Sequence, residues 1–117
     1  MDSGQYLRYN SAEKSKIWFL DGDFIRNLDL SSAMEVTPYY HDTASGERVH
    51  YVSLVPEVPG TNHSNQKWRI LGDEIICEYL NLRLTDDSIS SIWMAMKRNG
   101  KKNQKWEIKR AAKYRYI

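Results

Sequence analysis

Two short runs carry the side chains best suited to holding a ligand. Asn65-Gln66-Lys67-Trp68 and Asn103-Gln104-Lys105-Trp106 each set two amides, a cation and an indole in a row. An amide donates and accepts at once, and an indole offers a flat apolar face with one N–H donor. Such groups hold polar ligands by hydrogen bonding and stacking and break no bonds. The more reactive residues are scattered. His41, His50 and His63 lie at no metal-ligand spacing, and Cys77 is the single cysteine. His41, Asp42 and Ser45 are close in sequence, but no Gly-x-Ser-x-Gly elbow is present, and neither a P-loop nor a dinucleotide fingerprint occurs. The expectation is a binding protein that is not an enzyme, with no metal and no cofactor.

Charge is the second signal. The net charge is +2, but residues 97–117 hold nine cations and one acid, Glu107, leaving residues 1–96 at −6. The cations are Lys97, Arg98, Lys101, Lys102, Lys105, Lys109, Arg110, Lys113 and Arg115, with Tyr114 and Tyr116 interleaved. Cations that neutralise phosphates beside rings that stack on bases are the composition of a nucleic-acid surface. A solvated hairpin has the same composition. Strand alternation would then send Lys113 and Arg115 outward and both tyrosines inward.

The elements that must position these groups repeat. Trp18 opens WFLDGDFI and Trp68 opens WRILGDEI, which agree in Trp, an aliphatic at +2, Gly at +4, Asp at +5 and Ile at +7. NQKW stands at 65–68 and again at 103–106, with SKIW at 15–18 a weaker copy. Trp106 opens WEIKRAAK, which keeps the aliphatic and loses the glycine. The tryptophans are 50 and 38 residues apart. The excess in the first unit falls between Tyr39 and Ser64, where HDTASGER and PEVPGTNHSN are dense in turn formers and read as one or two enlarged surface loops. Runs such as EIICEYLNLRLT, RVHYVSLV and SIWMAM read as short strands. The tail KWEIKRAAKYRYI fits a helix or a closing strand. Three units of short strands, with the third shared between the two ends of the chain, predict an all-β single domain over 1–117. No run of eighteen apolar residues exists, so no membrane span is expected. The polar N-terminus and single cysteine suggest a cytoplasmic home, or a secreted one if a signal has been removed.

Repeated Gln-x-Trp followed by Gly-Asp-x-Ile resembles the ricin B-type lectins over essentially the whole chain. The resemblance implies a β-trefoil with three pseudo-repeats, its tryptophans in the central core and a shallow sugar pocket in each unit. It places Asn65 and Gln66 at the first pocket and Asn103 and Gln104 at the second. The acidic position falls on Glu35 in the first unit and on Arg83, a departure from the pattern, in the second. Asp29 lies several residues too early. The stacking position aligns with Val52 and Met96, beside Tyr51 and Trp93. The implied partner is a glycan or glycoprotein, bound weakly per site and gaining from multivalency. Two other functions remain open. One is an interaction module whose basic C-terminal surface contacts RNA, a ribosome or an acidic protein. The other is a trefoil protease inhibitor using the segment from Tyr39 to Ser64.

Overall fold

The glycines at 22 and 72 set the first elements. Strands β1 (Phe19–Asp21) and β2 (Phe24–Arg26) pair antiparallel around Gly22-Asp23, and β5 (Trp68–Leu71) and β6 (Glu74–Cys77) pair around Gly72-Asp73. A two-residue hairpin whose first central residue has positive φ is a type II′ turn, which favours glycine there. Gly22 sits at φ +60° and Gly72 at +64°. The remaining strands are β3 (Ser32–Asp42), β4 (Arg48–Pro56), β7 (Arg83–Thr85), β8 (Met94–Met96), β9 (Lys109–Ala111) and β10 (Tyr114–Tyr116). The coordinates come from a computed structural model and describe residues 12, 14, 17–27, 32–56, 63–111 and 114–117. For Arg110, Ala111, Tyr114 and Tyr116 they describe the backbone alone.

The described chain is all-β. The ten described strands form one curled antiparallel sheet in the order β5-β6-β7-β8-β4-β3-β2-β1-β10-β9, and the helical turns among the described residues are single 3-10 turns at Ser64–Gln66, Tyr79–Asn81 and Lys102–Gln104. The C-terminal tail is strand: β10 pairs with β1, placing Tyr116 opposite Phe19 and Arg115 opposite Leu20. The last described strand thus lies beside the first described one. Arg115 is exposed, while Lys113 and the side chains of Tyr114 and Tyr116 lie outside the described residues.

The segment from Tyr39 onward is not mainly loop. Strands β3 and β4 make the longest hairpin of the molecule, and only Thr43 to Glu47 turns between them. Pro38 accounts for the irregularity in it. Proline cannot donate to the ladder, so a strand that contains it must bulge or lie at an edge. Val36 pairs with Val52 and Tyr40 with His50, leaving three residues of β3 opposite Tyr51 alone. The Thr37 hydroxyl donates to the Tyr51 carbonyl at 2.8 Å and accepts from the Tyr39 N–H at 3.2 Å, and the His50 ring donates to the Thr37 carbonyl at 3.1 Å. Beyond the bulge the hairpin runs into solvent. Arg48 stacks on the exposed Tyr40 ring at 3.9 Å. Residues 57–62, also expected as loop, lie outside the described residues.

One apolar cluster fills the curl of the sheet. It contains Trp18, Trp68, Ile25, Met34, Val36, Val52, Ile75, Leu82 and Leu84, with the half-buried Trp93 and Trp106 packed against it. Trp18 and Trp68 are 1% and 2% exposed. Burying an indole of this size stabilises the fold by several kcal/mol, on the order of 25 cal/mol per Å² of apolar surface. Trp106 was expected equally deep and is not, because its ring forms part of an open cleft. Cys77 is buried in the same cluster, and burial pushes its thiol pKa up to about 12.

Candidate ligand-binding site

Both Asn-Gln-Lys-Trp runs end in the same local frame. Each forms a single 3-10 turn closed by an N–H from the lysine, Lys67 to the Ser64 carbonyl at 3.2 Å and Lys105 to the Lys102 carbonyl at 3.0 Å. The indole Nε1 of Trp68 donates to the Met34 carbonyl, and that of Trp106 to the Leu84 carbonyl, both at 3.0 Å. The backbone N–H of Trp68 reaches the Asp23 carbonyl at 2.8 Å, and that of Trp106 the Asp73 carbonyl at 2.7 Å. Each tryptophan is thus pinned to the turn of the preceding Gly-Asp hairpin and to the strand that follows it. Met34 and Leu84 are 50 residues apart, the same offset as Trp18 and Trp68. This register makes Glu35 the counterpart of Thr85.

Arg83, expected at the acidic position of the second unit, is not there. Its guanidinium donates to Glu74 at 3.1 Å and to the Asn81 carbonyl at 2.7 Å. Arg98 holds the other oxygen of Glu74 at 3.1 Å, and the two cations, Arg98 foremost, keep that carboxyl below its ordinary range. Arg83 lies two residues before Thr85, the position that the indole contacts pair with Glu35. Residues of one strand face alternate every position, so a two-residue slip preserves the pattern and is invisible to it. The carbonyl chosen by Trp106 is what fixes the register.

In the first corner the expected residues come together. Asn65 donates through Nδ2 to Glu35 Oε1 at 2.9 Å, and the buried Gln66 reaches the same oxygen at 3.4 Å and the Pro56 carbonyl at 3.3 Å. Both amides of this corner are spent on Glu35. Val52, aligned with the stacking position, is fully buried opposite Val36, and Tyr51 bonds His41 at 3.0 Å through its hydroxyl. Asp29 lies outside the described residues.

The second corner is open. Gln104 turns inward, donating to the Thr85 hydroxyl at 3.2 Å and the Lys97 carbonyl at 2.9 Å, and accepting from the Asn99 N–H at 2.8 Å. Asn103 accepts from Asn99 Nδ2 at 3.3 Å, and its backbone carbonyl accepts from the Asp86 N–H at 2.8 Å. Beside it lies a cleft of about 360 Å³ lined by Asp86, Ser88, Lys102, Asn103, Lys105 and Trp106. Met96, aligned with the stacking position here, is buried opposite Arg83 and takes no part. The ring at the cleft is Trp106, with Trp93 against it edge-to-face at 4.7 Å and 86°.

Asp86 and Ser88 were not singled out by the sequence. The signal for them was Thr85-Asp86-Asp87-Ser88, a cluster of turn formers directly after a short strand. Asp86 Oδ1 accepts the Ser88 N–H at 3.0 Å, which holds Ser88 at φ +65°. Asp87 Oδ1 accepts the N–H groups of Ile89 and Ser90. Lys14 binds both acids, Asp86 at 2.6 Å and Asp87 at 3.3 Å. The Lys14 ammonium holds the Asp86 carboxyl below its ordinary range, against the opposing effect of burial. Asp86 Oδ2 and Asn103 Nδ2 have no hydrogen-bond partner among the described residues. The corner therefore presents a free anionic acceptor, a free amide donor, a hydroxyl and an indole face.

The basic residues are exposed, as a surface patch would require: Lys97, Arg98, Lys101, Lys102, Lys105 and Lys109. Arg98 is committed to Glu74, and Lys105 lies 3.6 Å from Asp73. Lys97, Lys101, Lys102 and Lys109 make no ion pair among the described residues. The side chain of Arg110 lies outside them. No group of three or more His, Cys, Asp or Glu is placed to hold a metal among the described residues, and no described helix is long and apolar enough to cross a membrane. Compared with protein-family models, with curated proteins and with solved structures, the chain matches none of them.

Proposed function

We propose that the protein is a β-trefoil, lectin-like module that binds carbohydrate without chemical turnover, and that the second corner is its binding site. The trefoil reading is supported by the position-for-position recurrence of indole, backbone and glutamine contacts in two units. It is supported also by the pairing of the last strand with the first. The single observation that carries the function is the open cleft at Asn103. A saccharide hydroxyl donates and accepts, and the cleft supplies both complements in Asp86 Oδ2 and Asn103 Nδ2. The apolar face of a sugar ring meets Trp106. The first corner, closed by the Asn65–Glu35 bond, is a structural copy. A shallow open site of this kind binds weakly and gains from multivalent display.

A glycan array with the folded protein tests the proposal. Binding to at least one saccharide class, lost in Asn103→Ala and retained in Asn65→Ala, is expected. A folded protein that binds no saccharide at millimolar concentration removes it. The second reading, an RNA or acidic-protein partner, is favoured by the unpaired exposed lysines. It predicts salt-sensitive retention on RNA that falls when Lys101, Lys102 and Lys105 are all replaced by Glu.

A further inference from the structure

We infer that the ligand of the second corner is an acidic saccharide, one bearing carboxylate or sulfate groups. This rests on the carbohydrate reading and names its substrate class. The observation is the composition of one cleft. Asp86, Asn103, Ser88 and Trp106 suit the hydroxyls and ring face of a sugar, while Lys102 and Lys105 stand in the same lining. Two ammonium groups make charge-assisted bonds to an anionic substituent, stronger than those they make to the hydroxyls of a neutral sugar. A bare phosphate backbone has no use for an ionised aspartate facing it. A sugar ring carrying an anionic substituent uses both walls.

The two walls are fixed independently. Lys14 and the Ser88 N–H both bind Asp86 Oδ1, so the carboxylate is turned with Oδ2 left over. Lys14 stands 5.5 Å over the Trp93 ring, and Trp93 packs against Trp106, so the same lysine steadies the aromatic side of the cleft. On the opposite wall, Lys102 belongs to the 3-10 turn and Lys105 caps it. Lys102 makes no ion pair among the described residues. Among the described residues Lys105 pairs with the exposed Asp73 at 3.6 Å, a contact that an incoming anion replaces at little cost. Lys97 and Lys101 are exposed as well.

The test measures affinity, at fixed physiological salt, for three hexasaccharides: oligogalacturonate (carboxylates only), a heparin fragment (sulfate and carboxylate) and a neutral cello-oligosaccharide. A single-stranded RNA is the fourth probe. At least one acidic saccharide is expected to bind about tenfold tighter than the neutral one, and Lys102→Gln to abolish most of that preference. The first two probes tell carboxylate from sulfate. Asp86→Asn is the decisive variant. In the proposed site it weakens acidic-saccharide binding, because the hydroxyl acceptor is lost. On a merely cationic surface it strengthens binding, because a repelling charge is gone. Lys102→Gln, at an exposed position, keeps the test valid should Asp86→Asn unfold the loop. Equal binding of neutral and acidic saccharides overturns the inference and leaves the carbohydrate reading standing. No saccharide binding overturns both. RNA bound tighter than any saccharide, and tighter still in Asp86→Asn, overturns both in favour of a nucleic-acid surface.

Discussion

At the first corner Gln66 and Asn65 both turn in on Glu35; at the second Gln104 turns in on Thr85 while Asn103 borders a cleft. The frames agree down to the carbonyls that receive the indoles. The difference begins one residue beyond. In the first unit Val36 follows Glu35, is fully buried, and continues β3 to Asp42. In the second, β7 stops at Thr85, and Asp86, with 46% of its side chain exposed, starts a loop. Ending the strand removes the backbone that would fill the space beside Asn103. The carboxylate moves one position along and from the inside of the corner to its rim. The same amide-indole scaffold thus yields a cross-brace when the strand continues and an open cleft when it stops.

Truncating the two indoles gives the largest effects and tests the frame. Trp68→Ala removes a fully buried ring and is expected to cost about 4 kcal/mol, enough to unfold many domains of this size. Trp106→Ala, at a half-buried ring bordering solvent, should cost about 2 kcal/mol. Urea denaturation followed by tyrosine fluorescence or far-UV dichroism reads both. Equal losses would mean that Trp106 is as much core as Trp68 and that the cleft is closed in solution.

The corner amides come next. Gln104→Ala leaves the Lys97 carbonyl and the Asn99 N–H without their partner and is expected to cost about 2 kcal/mol. The asparagines should separate. Asn65→Ala breaks the bond to Glu35 and costs about 1 kcal/mol with no change in ligand binding. Asn103→Ala should leave the denaturation midpoint nearly unchanged and abolish saccharide binding. If the two exchange roles, the first corner is the site and the second the brace.

Which parts of this could be read from the chain follows from what repeats. Trp18 and Trp68 with their Gly-Asp turns were legible because a buried indole and a positive-φ glycine tolerate few other residues. Asn65, Gln66 and Glu35 were legible as a group for the same reason, since each recurs or lies within the aligned strand. Arg83 was misplaced because strand alternation cannot distinguish shifts of two. The hairpin of β3 and β4 was hidden by its own turn formers. Pro38 and the HDTASGER run suggest loop, yet the bulge at Thr37 absorbs the proline and strand pairing resumes beyond it. Asp86 and Ser88 were silent for a different reason. They belong to one unit alone, so no repeat marks them, and Lys14, the partner of Asp86, lies 72 residues away.

Smaller effects test whether the two Gly-Asp hairpins are equivalent. Gly22 and Gly72 both have positive φ, and a methyl group at either would meet nothing within 4 Å. Alanine there should cost only the backbone penalty, about 1 kcal/mol, and the same amount in both. A large loss at one and none at the other would mean that only one hairpin carries the tryptophan of the next unit on its turn.

The smallest effect is the most local to the second corner. Lys14 lowers the pKa of Asp86 below its ordinary 3.8. A carboxyl whose folded pKa is depressed stabilises the fold above its unfolded value, and that contribution disappears as pH falls through the depressed value. Asp86 is nearly half exposed, so the pair is worth about 0.5 kcal/mol, the range of surface ion pairs. Lys14→Met should therefore lower stability by about that amount at pH 7. The gap between variant and parent should narrow as pH falls below the ordinary carboxylate range and close once Asp86 is protonated in both. At the first corner Glu35 accepts from the amides of Asn65 and Gln66. A gap that persists at low pH would show that Lys14 acts through its packing over Trp93. The loop carrying Asp86 would then be held by shape, and the orientation of its free oxygen would need another cause.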